Sequence, residues 1–312
     1  MTEFAFVFPG QGSQAVGMLD AWGDHAAVRQ TLAEASDALG EDVAQLIQAG
    51  PKERLDLTTH TQPVMLSAGV ACYRAWLAEG GRAPSVVAGH SLGEYTALVA
   101  SGALSLTEAL PLVRFRAQAM QDAVPVGVGA MAAILGLDAQ AVREGCIEVA
   151  AASGEVVEAV NFNDPKQTVI AGTKAGVEKA CEVLKAKGAK RALLLPVSAP
   201  FHSSLMRPAA ERLKERLAAT AFAAPKIPVI NNVDVKVETE PQSLRDALYR
   251  QAFAPVRWVE TVQAIRARGL THIVECGPGK VLAGMVRRID AEAVSGAVFD
   301  PASLAEMKGV LG

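Results

Sequence analysis

Aromatic residues are scarce in this sequence: three Trp, three Tyr and nine Phe make 5% of 312 positions, although half of all residues are hydrophobic. That balance excludes an aromatic stacking platform for single-stranded nucleic acid and points to Ala, Val and Leu packing helices on a sheet. An excess of one charge is missing as well. Thirty Lys and Arg stand against 33 Asp and Glu, a formal net charge of −3, so the chain lacks the global basic excess with which a nucleic-acid binder displaces counterions. Cys72, Cys146, Cys181 and Cys276 lie far apart, with neither CxxC spacing nor a histidine-bearing metal pattern, which argues against a disulfide framework or a zinc site. Reduced thiols in the cytoplasm are expected. Long apolar runs are absent too: Phe4 to Phe8 has no basic flank and is too short for a signal core, and Val126 to Leu137 is glycine-broken and below the roughly 18 residues of a membrane span. Neither export nor membrane insertion is expected.

What is present alternates between strand and helix. Phe4 to Phe8 is a continuous apolar run stopped by Pro9-Gly10, which reads as a short buried strand, and the loop Gly10-Gln11-Gly12-Ser13-Gln14 brings backbone close to a partner. Helical patterns follow around 28–48 and 62–79. Ser85 to Ala88 is a second buried strand, ended by Gly89 and followed at once by a helix over Leu92 to Ala100 with Gly102 as its stop. Ser105-Leu106-Thr107-Glu108 is a capping box that opens a helix over about 106–123. Pro125, Gly127 and Gly129 then mark a boundary. Beyond it, strand patterns at 131–135, 156–160, 167–171 and 192–197 and helical patterns at 138–151 and 174–187 give the order βαββαβ, the ferredoxin-like split motif. The first pattern resumes with a helix near 204–219, a strand at 227–230, helices near 243–252 and 256–268, a strand at 272–275, a Gly-Pro-Gly turn and a helix over 281–288. The expected fold is α/β: a large subdomain with a mainly parallel sheet over 1–126 and 199–312, and an inserted ferredoxin-like subdomain over 127–198.

Gly89-His90-Ser91-Leu92-Gly93 matches the nucleophile-elbow pattern GxSxG and sits between a buried strand and a helix start, the context that gives the pattern meaning. Small residues at 89 and 93 permit a tight turn that projects the Ser91 hydroxyl, and the Leu92 amide, unpaired at a helix N-terminus, can face an oxyanion. The alternative is Ser91 as an ordinary N-cap. A serine hydroxyl needs a base within hydrogen-bond reach. Of five histidines, His25, His60 and His272 read as surface or packed residues, and His90 as structural or pocket-lining. His202, in Ser198-Ala199-Pro200-Phe201-His202-Ser203 where a loop returns to the large unit, is the best candidate. Gln11 can supply a second oxyanion amide, because a loop after the first strand lies at the carboxyl edge of a parallel sheet. That loop lacks the features of a P-loop or a dinucleotide fingerprint. Arg116 on the next helix suits a carboxylate, which its planar guanidinium grips in two places, whereas Arg114 on another face reads as solvated.

Over essentially its whole length the chain resembles the malonyl-CoA:acyl carrier protein transacylases of bacterial fatty acid synthesis. The resemblance rests on Phe8-Pro9-Gly10-Gln11-Gly12-Ser13-Gln14, Gly89-His90-Ser91-Leu92-Gly93-Glu94-Tyr95, Arg116-Ala117-Gln118-Ala119-Met120-Gln121, Asn161-Phe162-Asn163, Pro200-Phe201-His202-Ser203, Asn231-Asn232-Val233 and Glu275-Cys276-Gly277-Pro278-Gly279, in that order. It implies an α/β-hydrolase-like large subdomain carrying the ferredoxin-like insertion. It also implies Ser91 as the acylated nucleophile, His202 as its base, Arg116 as partner of the malonyl carboxylate, and Gln11 with Leu92 as the oxyanion amides. The histidine would be oriented by a backbone carbonyl, matched here to Gln251 or a neighbour on its helix. Phe201 would fill the space an α-methyl branch needs, or only pack the loop. The implied reaction is a ping-pong transfer in the cytoplasm, with malonyl-CoA as substrate, acyl carrier protein as partner, no metal and no redox cofactor, by a monomer.

Between 166 and 191 seven basic residues face two acidic ones, and Lys185, Lys187, Lys190 and Arg191 offer an acidic carrier a docking face near the cleft mouth, unless they are simply a solvated helix face. Arg287 and Arg288 form a second patch. The rival readings are a serine esterase or thioesterase, which expects an acid between Ser and His and a histidine near the chain end, and a non-catalytic carrier-binding module.

Overall fold

A computed structural model describes residues 2–197 and 199–312. Among them nine strands occur: β1 (Phe4–Phe8), β2 (Val86–Gly89), β3 (Gly129–Leu135), β4 (Val157–Asp164), β5 (Gln167–Thr173), β6 (Arg191–Leu194), β7 (Val229–Ile230), β8 (His272–Cys276) and β9 (Val294–Val298). Five of them form a parallel sheet in the order β7-β2-β1-β8-β9, and the other four an antiparallel sheet in the order β4-β5-β3-β6.

The first strand shows why its sequence is apolar without interruption. Phe4, Phe6 and Phe8 pack on one side against Tyr73 and Trp76, while Ala5 and Val7 join Trp258, Val262 and Ile273 on the other, so β1 is covered on both faces. The second sheet is the ferredoxin-like unit. Helices Ala139–Ser153 and Lys174–Ala186 cover the face that bears Ala132, Ile134 and Ile170. The opposite face, with Met131, Val160, Val169 and Ala171, packs on Leu195, Val197 and Phe201 and turns towards the large sheet. Val256 binds the two units by backbone, donating to Val160 O at 2.8 Å and accepting from Phe162 N at 3.0 Å.

The expected architecture is present, with local differences. The pattern at 28–48 is two helices, Ala26–Leu39 and Val43–Ala49, because Gly40 takes the left-handed conformation at φ 64° and Asp42 caps the second helix through Gln45 N at 2.8 Å. Strand β6 stops at Leu194 rather than 197 because Pro196 has no N–H for the ladder. Strand β7 keeps only two residues of the expected four. Among the elements with no counterpart in the sequence reading are β9 and the helix Pro301–Leu311, which packs its Met307 over Gly296. Ser198, the last residue of the expected insertion, lies outside the described residues.

Candidate active site

Strands β1 and β2 end level, with Phe8 opposite Gly89, so the Gly10-Gln11 loop and the serine elbow leave the same sheet edge side by side. The elbow tolerates no side chain at its flanks: a Cβ on Gly89 would lie 1.9 Å from the Gly93 backbone, and one on Gly93 would lie 2.1 Å from Phe8 O. Between them Ser91 is held at φ 53°, the left-handed region that a serine enters only when its surroundings enforce it. Asn232 supplies that enforcement. Its Oδ1 accepts from Ser91 N at 2.7 Å and its Nδ2 donates to Gly89 O at 2.6 Å. Leu92 stands at the N-cap of helix Gly93–Ala100, where a first-turn amide has no intrahelical acceptor.

The Ser91 hydroxyl lies 2.7 Å from His202 Nε2, and His202 Nδ1 lies 2.8 Å from the carbonyl oxygen of Gln251. A carbonyl only accepts, so Nδ1 carries the proton and Nε2 is left to accept from Ser91. A hydrolase acid would occupy the place of that carbonyl. His202 is buried and also left-handed, at φ 66°. Burial first, and then the charge of Arg116, push its pKa down to about 3, so the imidazole is neutral over the physiological range.

Arg116 is 2% exposed, yet among the described residues no carboxylate pairs with it. Its Nη1 donates to Gln62 Oε1 at 2.7 Å, its Nη2 to Gln251 Oε1 at 3.0 Å and to Ser91 Oγ at 3.4 Å, and Nε is unpartnered. Burial lowers its pKa. A guanidinium held only by neutral acceptors beside a nucleophile is a receptor for a small anion. The cavity here is about 110 Å³. Gln11, Ser91, Leu92, Arg116, Phe201 and His202 all line it, whereas Gln251 stands behind and meets it through its bonds to Ser91, Arg116 and His202. Gln11 is steadied by its side chain on Thr58 Oγ1 at 3.2 Å. Phe201 both lines the cavity and packs in the loop.

Other expected residues fall elsewhere. His90 lines the cavity, hydrogen-bonds Asn163 Oδ1 at 2.8 Å and packs edge-on against Trp258, away from Ser91. The basic segment divides. Lys185 lies on the helix on the far face of the second sheet and Lys187 at its C-cap, paired with Glu148 at 2.8 Å, so the expectation that they stand at the cleft mouth is corrected by the layer they occupy. Arg191 pairs in register with Leu135, on the side of the sheet that carries Ala133, Leu193 and Leu195, the cleft side. Arg288 is tied to Asp164 at 2.6 Å and Arg287 to Ser295 O at 2.8 Å. Three residues to which the sequence reading gave no role hold the site together: Gln62, and Glu94 and Asn232 from two of its motifs, all buried. Glu94 was visible as a charge inside an apolar elbow helix. The four cysteines are free and buried, no described group of three or more His, Cys, Asp or Glu is arranged for a metal, and no helix among the described residues is long and apolar enough to cross a membrane.

Comparison with known proteins converges on one family. The family model described as the acyl transferase domain matches residues 5–300. The malonyl CoA-acyl carrier protein transacylase of Escherichia coli (strain K12) is 53% identical over 306 residues, 98% of each chain. A crystal structure of an acyl-carrier-protein S-malonyltransferase from Burkholderia pseudomallei 1710b has a TM-score of 0.96 at 66% identity, covering 98% of this chain and 99% of its own. A malonyl-transacylase solved in complex with its type II PKS acyl-carrier protein has a TM-score of 0.95 at 51% identity, covering 97% and 98%. A strained serine on a neutral histidine, with a buried arginine 3.4 Å from its hydroxyl, thus stands in a chain that belongs to the malonyl CoA-acyl carrier protein transacylases of the acyl transferase family.

Proposed function

We propose that this protein transfers the malonyl group of malonyl-CoA to the phosphopantetheine thiol of an acyl carrier protein through a malonyl ester on Ser91, supplying fatty acid synthesis. The observation that carries this reading is the buried Arg116, which has no carboxylate partner among the described residues and reaches to within 3.4 Å of Ser91 Oγ. In the first half-reaction His202 Nε2 takes the Ser91 proton as Oγ attacks the thioester carbonyl. The oxyanion meets the amides of Gln11 and Leu92, and the malonyl carboxylate lies on Arg116. Collapse breaks the C–S bond, and the CoA sulfur leaves with the proton from His202. In the second half the carrier thiol gives its proton to His202 and attacks the ester carbonyl; the C–O bond to Ser91 breaks and Oγ takes the proton back from His202. The Gln251 carbonyl stabilises the imidazolium formed in each half, which leaves no need for an acidic third member. No metal or redox group enters either half.

The catalytic body is 1–126 with 199–312, and the insertion 127–198 roofs the cleft, in a cytoplasmic monomer. Phe201 closes the side of the cavity where an α-methyl branch would project, making methylmalonyl-CoA a poor donor. For the carrier, Lys190 and Arg191 at the start of β6 are the better placed part of the basic segment, steering an acidic partner through the association rate. The test is intact mass after incubation with malonyl-CoA: a malonyl adduct on Ser91 that disappears when carrier is added supports the reading, and wild-type protein that gains no adduct overturns it.

A further inference from the structure

Behind the nucleophile lies a carboxyl that the transfer chemistry does not use. Glu94 is 2% exposed on the first turn of helix Gly93–Ala100. Its Oε2 accepts from Asn232 N at 2.9 Å and from Gln251 Nε2 at 2.9 Å. The same Gln251 Nε2 donates to Ser91 O at 3.0 Å, and Gln251 Oε1 accepts from Arg116 Nη2 at 3.0 Å. A carboxylate and a carbonyl can only accept, so both demand the amide nitrogen on their side and turn the amide oxygen towards Arg116. One glutamine therefore joins a buried carboxyl to a buried cation, and neither is in a direct ion pair with a described residue.

Resting on the malonyl-transfer reading above, we propose that Glu94 is a positioning residue that sets acyl selectivity: through Gln251 it aims Arg116 at the acyl carboxylate and balances its charge when that carboxylate is absent. The groups facing Glu94 allow this. Arg116 comes from helix Leu106–Asp122, Gln251 from helix Pro241–Gln251, Asn232 and Asp234 from the loop after β7, and Tyr95 is its neighbour in sequence. Asp234 is already paired with Arg250 at 2.6 Å. Burial pushes the pKa of Glu94 up to about 7, while its two hydrogen bonds and then Arg116 pull the other way, so the carboxyl sits where a second anion on Arg116 tips it to the protonated form. A malonyl group brings that second anion and an acetyl group does not. Arg116 thus passes from an internal partner to a substrate partner without standing bare in a dry site, and the malonyl ester is held less tightly than a bare guanidinium would hold it.

The experiment compares loading of Ser91 from malonyl-CoA and from acetyl-CoA in wild type and in Glu94→Gln. The amide oxygen of the variant still accepts from Asn232 and Gln251, but the competing charge is gone, so the malonyl-to-acetyl ratio of kcat/KM rises by about ten-fold. A ratio unchanged within two-fold, with both substrates slowed together, reduces Glu94 to a structural brace and overturns the proposal. A second measurement needs no variant. In weakly buffered wild-type protein at pH 7, loading from either thioester moves the Ser91 proton to the CoA sulfur, so any difference in proton uptake between the two substrates belongs to the acyl group. Uptake of a fraction of a proton per site with malonyl-CoA, beyond that with acetyl-CoA, is expected; equal uptake overturns the proposal even if the variant does not fold. Wild-type protein that loads malonyl normally while both tests fail loses only the role of Glu94, whereas wild-type protein that does not load at all loses the functional reading.

Discussion

Two turns leave the same edge of the parallel sheet, one after β2 and one after β8, and each buries a glutamate whose pKa burial raises to about 7. At the β8 turn, Glu275 Oε2 accepts from Ala283 N at 2.8 Å and so caps the helix Val281–Ile289, while its Oε1 has no partner. Gly277 there, at φ 133°, would bring a Cβ to 3.0 Å from the Pro9 ring. The lack of a side chain at 277 lets this turn lie against the start of the loop carrying Gln11. At the β2 turn, Glu94 faces Gln251 and, through it, Arg116 and the nucleophile. A displaced carboxyl pKa is therefore no mark of chemistry by itself. What the carboxyl faces decides its part: a helix start at one turn, a buried cation beside a serine at the other.

The comparison can be broken at either turn. The largest effect belongs to Ser91→Ala, which removes both the adduct seen by intact mass and transfer to the carrier, because no other hydroxyl stands on the elbow. Next is His202→Ala, for which stopped-flow loading is expected to slow by about 10² to 10⁴, the usual worth of a general base. Because the His202 pKa is held near 3, the acid limb of wild-type acetyl loading lies well below pH 6.5; a fall centred at 6.5 would show an ordinary histidine.

Effects at the β8 turn are smaller and of another kind. Glu275→Ala should cost about 1 kcal/mol or slightly more in urea unfolding, as the loss of a helix cap does, with the malonyl-to-acetyl ratio unmoved. A changed ratio would erase the distinction between the turns. The last effect is on pH. Glu275 binds its proton more tightly folded than unfolded, so its stabilisation is complete below about pH 4.5 and is lost as pH rises through about 7. Glu275→Gln should remove that part of the fall in Tm between pH 5 and 8.

Much of the fold was legible because periodicity is local. The split βαββαβ motif shows in alternating runs bounded by Gly and Pro, and β1 shows as an unbroken apolar run because both its faces are covered. Strand β9 was not legible, since Val294-Ser295-Gly296-Ala297-Val298 is short, mixed and at the sheet edge, and is defined by pairing with β8 and by Met307 above it. In the site, Ser91 is marked by a pattern in its proper context, and His202 stands out among five histidines. Gln251 came from family resemblance, because a backbone carbonyl leaves no trace in side-chain identity. Gln62, Glu94 and Asn232 are polar residues within buried stretches, and their meaning arises only where chain segments 54 to 160 residues apart converge on Arg116 and Ser91.

The central claim is that Arg116 reads the acyl carboxylate while Ser91 and His202 do the chemistry. Loading of Arg116→Ala with malonyl-CoA and with acetyl-CoA, followed side by side by intact mass, tests it most directly. Malonyl loading is expected to fall by about 100-fold, as when a buried charged pair loses one partner, while acetyl loading holds or improves. Equal losses for the two thioesters would make Arg116 a structural residue and contradict the account.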